Sequence, residues 1–187
     1  MKNLLKLFAV ALMFGFVMIS CEESRDEMPS SGSIYELASR DTDLSNLKAA
    51  IDKAGLATTL QSSGTFTVFA PSNAAFATFL KDNGFANLEA VPVATLREIL
   101  LNHVPSFKVI AADVTTGYVS MLAKGSASSS RNISMYINTS SGVRINGVST
   151  VTATNISADN GVIHKVDKVI GLPTVVTQKC NAECHKL

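Results

Sequence analysis

Cys180, Cys184 and His185 bring two thiols and an imidazole within six positions near the end of the chain. Three chemistries fit that set. A Cys180–Cys184 disulfide is the default for an exported chain, since one helical turn brings two such Cα atoms near the permitted separation. Free or intermolecular thiols are the second, and a metal or haem-like ligand set is the third. Structural zinc takes four ligands and only three lie close together, and the spacing is not Cys-x-x-Cys-His. The other histidines stand apart. His103 follows Leu96, Ile99 and Leu100 on a helical face, where an imidazole most often pins a backbone carbonyl. His164 precedes Asp167 by three positions in a β-prone run, so alternation sends the two side chains to opposite faces and they form no dyad. No nucleophile elbow, paired carboxylates or phosphate-cradling glycine loop accompanies them, so the expectation is a chain that is not an enzyme and carries no cofactor.

The elements that must position these residues fall into two halves. Ser33-Ile34-Tyr35-Glu36 has the capping-box pattern of a helix start. Helices are predicted over Asp43–Ala54, for one turn over Leu56–Gln61, from Ser72 to a stop at Gly84, and over Ala94–Asn102. After Val104 the pattern changes to short β-prone runs: Phe107–Ile110, Val119–Leu122, Ile133–Ile137, Val143–Ile145, Thr150–Ile156 and Val162–Ile170. Residues 123–131 read as an exposed loop, and Asn73, Asn146 and Asn160 as turn and cap residues. Helices first and strands later predict an α+β domain.

The N-terminus reads as an export address. Lys2 and Lys6 precede an apolar run from Leu7 to Ile19 that is short for a membrane span. Met18-Ile19-Ser20-Cys21 then resembles a bacterial lipoprotein cleavage site, which implies acylation of Cys21 and stable anchoring by two or three chains. The competing reading is an ordinary secretory leader with a coincidental cysteine. Residues 21–32 are too polar to fold and read as a tether. Their early acidic residues resemble the surface-export signal of Bacteroidota lipoproteins, although a solvated linker accounts for the charge equally well. The expected location is therefore the cell envelope, at the outer membrane and on its outer face if that signal operates.

Composition narrows the partners. The 187-residue chain has a formal charge of +1 with both signs interleaved, so it has no basic field for nucleic acid. Tryptophan is absent, which disfavours a deep aromatic sugar cleft.

Two segments carry a family resemblance. Thr65–Phe76 alternates Phe66, Val68 and Ala70, breaks at Pro71 and opens a helix at Ser72. Asn160–Ile170 turns at Asn160-Gly161 and runs into β-branched residues. They resemble the two signature boxes of the fasciclin (FAS1) family, through Thr67, Phe69, Ala70, Pro71, Ser72, Asn73 and Phe76 in the first and Asn160, Gly161, His164 and Asp167 in the second. The resemblance spans Ser33 to about Val175. It implies a single fasciclin-like β-sandwich or wedge over residues 33–175, between a leader (1–20) with its tether (21–32) and a Cys-containing tail (176–187). Where the family usually has Tyr-His, this chain has Asn102-His103. In animal members the residues at and before that pair are linked to adhesion, which places a possible adhesion neighbourhood at Glu98, Ile99 and His103. The implied function is a lipid-anchored adhesion or binding module for an extracellular protein or glycan. Alternatives are a carrier of a small apolar ligand such as a pigment or lipid, and a redox or metal protein using the tail.

Overall fold

Phe66–Pro71 forms the first strand, β1, and it is buried without a break from Thr67 to Pro71 because both of its faces are covered. Val68 and Ala70 point into a core shared with the helices, and Phe69 points into a second core on the other side. The computed structural model describes residues 32–106, 114–124 and 130–172. The predicted strand Phe107–Ile110, most of the loop at 123–131, the leader, most of the tether and the tail lie outside those residues.

The helices precede and follow β1: α1 (Ile34–Arg40), α2 (Ser45–Lys53), α3 (Ala57–Gln61), α4 (Asn73–Asp82) and α5 (Val93–Leu101). The capping box forms as read, with the Ser33 hydroxyl accepting from the Glu36 N–H and the Glu36 carboxylate accepting from the Ser33 N–H. The helix predicted from Asp43 instead begins as a 3-10 turn, Thr42–Leu44, because the Asp41 carboxylate takes the Asp43 N–H and starts the chain one tight turn early. Asn73 lies next to the Ser72 cap, but its side chain serves another helix. Its Oδ1 accepts the Asn46 N–H at 2.9 Å and its Nδ2 donates to the Thr42 carbonyl at 2.9 Å, closing the start of α2 from 27 residues away. Ser72 itself accepts the Ala75 N–H at 3.2 Å. Ser72→Ala removes that cap, and we expect a loss of about 1 kcal/mol in urea unfolding.

The remaining strands are β2 (Gly117–Ser120), β3 (Ser134–Asn138), β4 (Arg144–Ile145), β5 (Ser149–Ala158) and β6 (Gly161–Val166). They form a six-stranded mixed sheet in the order β1-β6-β5-β4-β3-β2. Among the described strands only the β1–β6 pair is parallel, with Phe66 opposite Gly161 and Pro71 opposite Val166. A Cβ at Gly161 would overlap the Phe66 carbonyl, so the close approach of the two strands requires glycine there. β5 carries two register shifts, between Val151 and Ala153 and between Ala153 and Ile156. Its first residues pair with β4 and the rest with β6, so the sheet bends along this strand. Phe69 and Val166 on one limb then meet Met135, Ile137 and Ile145 on the other. The fold is α+β, a bent sheet with a wedge-shaped inner core and helices over its other face.

The last strand is shorter than predicted. It stops at Val166 because Asp167 turns its carboxylate onto the Thr150 N–H at 2.6 Å and takes the place of a ladder carbonyl. Residues 167–172 then leave the sheet and run against α5.

Candidate binding groove and the clamp behind it

Leu96, Ile99 and Leu100 bury one face of α5, and this carries Asn102 and His103 into the interior at the helix end, each 1% exposed. A carbonyl oxygen can only accept, so the 2.8 Å contact from His103 Nδ1 to the Ile99 carbonyl fixes the proton on Nδ1. Nε2 is left as an acceptor, and it takes the Ile170 N–H at 2.9 Å. Asn102 holds the other side of the same residue, with its Nδ2 donating to the Ile170 carbonyl at 3.2 Å and the Gly171 carbonyl at 3.1 Å. Two consecutive side chains thus clamp the departing chain by its donor and its acceptors. Burial pushes the His103 pKa down from 6.5 to about 4, only partly countered by the bond to Ile99. Asn102 Oδ1 is buried with no partner among the described residues.

The clamp fixes one wall of an open groove of about 440 Å³. Val169 and Leu172 form this wall, α4 forms the opposite one through Thr78 and Phe79, and Ile99 and Phe85 also line the space. Phe85 is placed by the end of α4. Gly84 takes positive φ, its N–H reaches the Lys81 carbonyl, and the Phe85 N–H reaches the Leu80 carbonyl. This double bond pattern sets the residue after the glycine against the helix, and the Phe79 and Phe85 rings lie 6.4 Å apart. Asp82 and Lys168 stand at the rim, and neither is in an ion pair among the described residues.

The residues singled out from sequence divide clearly. Thr67, Phe69, Ala70 and Phe76 are buried structural positions, and Pro71 ends β1. His164 accepts the Asn155 N–H at 3.2 Å, at the second register shift of β5, where that N–H has left the ladder. Its ring also lies 5.7 Å from that of Phe69. Asp167 serves Thr150, so His164 and Asp167 act separately. Of the adhesion neighbourhood, His103 and Ile99 are buried, and half-buried Glu98 is the member that meets solvent. Ile99 contributes to the groove lining. Among the described residues no group of His, Cys, Asp and Glu gathers as a metal site. Cys21, Cys180, Cys184 and His185 lie outside them. Sequence reasoning missed the groove. Its one local signal was an aromatic residue, Phe85, directly after a helix-stopping glycine.

Residues 42–173 match the fasciclin domain family. The chain is 37% identical over 142 residues to Protein sll1483 of Synechocystis, covering 75% of this chain and 74% of that protein. It is 34% identical over 138 residues to a second Synechocystis protein, sll1735, covering 74% of this chain and 96% of the other. Among solved structures, a FAS1 domain pair from the insect cell adhesion molecule fasciclin I aligns over 77% of this chain and 47% of that one, at 20% identity and a TM-score of 0.42. The chain belongs to the fasciclin domain family, whose members are adhesion and binding modules and generally not catalysts.

Proposed function

We propose that this protein is a non-enzymatic binding module, held at the cell envelope by a lipid on Cys21, that offers its groove to an extracellular protein or glycan. The observation that carries the reading is the groove itself: an apolar floor, a rim with one charge of each sign, and a wall pinned by two buried side chains. A preformed wall lowers the ordering cost of binding. The leader and the polar tether support the location, at the outer membrane and facing outward. The two histidines among the described residues both hold backbone N–H groups, which suits a scaffold better than a reaction centre.

The test is a panel of glycans, matrix proteins and envelope extracts presented to the protein and to a Thr78→Arg variant, which fills the groove from an exposed position. Saturable binding that weakens about tenfold or more in the variant is the expected result. Equal binding by both proteins would move the site elsewhere. The lining of Phe79, Phe85, Ile99 and Leu172 favours a second reading, carriage of a small apolar ligand. Coloured or lipidic material in a solvent extract of the purified protein, absent from the Thr78→Arg variant, would establish it.

A further inference from the structure

The limb of the sheet formed by β2, β3 and β4 has an outer face as well as an inner one. Val119, Met135, Ile137 and Ile145 turn inward to the wedge-shaped core. Alternation sends their neighbours Tyr118, Ser120, Ser134, Tyr136, Asn138 and Arg144 to the opposite side. The register sets these six in facing pairs: Tyr118 with Tyr136, Ser120 with Ser134, and Asn138 with Arg144. The two tyrosine rings lie 5.1 Å apart with 53° between their planes, and Tyr118 is 58% exposed. Arg144 is the diagonal neighbour of Tyr136 across the strands, at a spacing of about 7–8 Å.

The turn between β4 and β5 fixes two of these residues. Asn146 donates its N–H to the Tyr136 carbonyl and accepts the Tyr136 N–H on its Oδ1, each at 2.8 Å. The Arg144 guanidinium donates one N–H to the Gly147 carbonyl of the same turn at 3.1 Å, and it carries further donors beyond that one. Arg144 is in no ion pair among the described residues.

Charge and side-chain type together select an occupant. Residues 114–124 and 130–148 include Lys124, Arg131 and Arg144, and neither stretch contains an aspartate or a glutamate. Carboxylates of other elements reach its borders, Glu98 at the Lys124 N–H and Asp167 at the Thr150 N–H. The face therefore complements an anion. None of the six outer residues is aliphatic, so the row lacks the anchors that a bilayer or an apolar protein interface takes up. A formal charge of +1 over the whole chain provides no field for a phosphate backbone. Tyrosine rings present a negative face to the C–H groups of a sugar ring, hydroxyl and amide groups pair with sugar hydroxyls, and a guanidinium holds a carboxylate through two parallel bonds.

From this arrangement we infer that the outer face of β2, β3 and β4 binds an acidic polysaccharide, a chain of uronate rings, with sugar stacked on Tyr118 and Tyr136 and a carboxylate on Arg144. The groove lining includes none of these three residues, so the inference does not rest on the groove being a binding site.

The experiment presents the full chain, held in nanodiscs of a zwitterionic lipid, to surfaces bearing polygalacturonate, alginate or hyaluronan. Neutral galactan and polyglutamate serve as comparisons. The expected result is saturable binding to at least one of the three polyuronates, about tenfold or more tighter than to galactan or polyglutamate. Tyr118→Ala and Arg144→Gln should each weaken it about tenfold or more, and Tyr118→Phe, which keeps the ring, should restore most of the loss. Silence on all three polyuronates would overturn the inference, as would equal binding to polyglutamate, which would reduce the effect to charge. Unchanged binding in both Tyr118→Ala and Arg144→Gln would overturn it too, and so would a preference for vesicles of phosphatidylglycerol over the polyuronates. Binding that disappears in Thr78→Arg would place the sugar in the groove instead. A partner that Thr78→Arg excludes is read in its own panel, so either reading can fail while the other stands.

Discussion

An Asn160→Ala protein is expected to be about 4 kcal/mol less stable than its parent. Asn160 is 5% exposed, and its amide makes three hydrogen bonds of 2.8 Å. Oδ1 accepts the Ile34 N–H at the start of α1, and Nδ2 donates to the carbonyls of Leu60 and Ser62 at the end of α3. One side chain before β6 therefore joins the first helix to the segment entering β1. Each bond contributes about 1 kcal/mol net, and a buried group stripped of its partner costs about 1–3 kcal/mol. Loss of the shared amide leaves one donor and two acceptors without it, so the sum exceeds that of three exposed bonds. Urea unfolding monitored by circular dichroism checks the value. Asn160→Asp separates the bonds from the volume: it keeps an acceptor for Ile34 but turns an oxygen toward two carbonyls, and it should cost at least as much as alanine. A loss under about 1 kcal/mol in both variants would mean that solvent replaces the amide freely.

The second large effect is acid sensitivity from His103. Its pKa is about 4 in the folded protein and 6.5 for an ordinary histidine. Between those values the unfolded chain binds the extra proton and the folded one does not, so stability rises with pH across this window. The contribution is complete above pH 6.5 and is lost as pH falls toward 4. At 1.36 kcal/mol per pH unit it amounts to about 3 kcal/mol. The main cause is burial, which penalises the charged ring, and a proton on Nε2 would also face the Ile170 N–H that this nitrogen now accepts. Denaturation midpoints measured from pH 7.5 to 4 should fall in wild type, and His103→Gln, which does not titrate, should show a shallower fall over the same range. Parallel curves would assign the acid loss to other groups.

Much of the architecture was legible because its signals are local. Ser33 and Glu36 lie three residues apart and cap each other, Ser72 caps the helix it begins, and the β-prone runs that fall on described residues became strands, the last of them ending four residues short. The family resemblance, carried by the boxes around Ser72 and Asn160, pointed to the right fold. What was not legible depends on partners distant in sequence. Asn73 and Asn160 look like ordinary turn residues, but one caps a helix 27 positions earlier and the other reaches Ile34 across 126 positions. The final strand reads as continuous to Ile170, but Asp167 ends its pairing with a side-chain oxygen and His103 captures Ile170. The groove depends on that diverted path, so no periodicity in the sequence announces it.

The parallel pairing of β1 with β6 also sets an order of events in time. These strands are 95 positions apart at their Phe66–Gly161 register, and β6 is the last strand described. Ribosomes add residues from the N-terminus at about 5–20 per second, so β1 is made seconds before its hydrogen-bonding neighbour exists. Through that interval the helices can form locally, but the two-sided core around Val68 and Phe69 cannot close. A contact of such long range is slow to form, because the loop between the strands must be ordered before pairing offsets the cost. The domain therefore commits to its native state late and in one step, after residue 166 is available, and a nascent chain stopped short of Gly161 should remain sensitive to protease along its whole length.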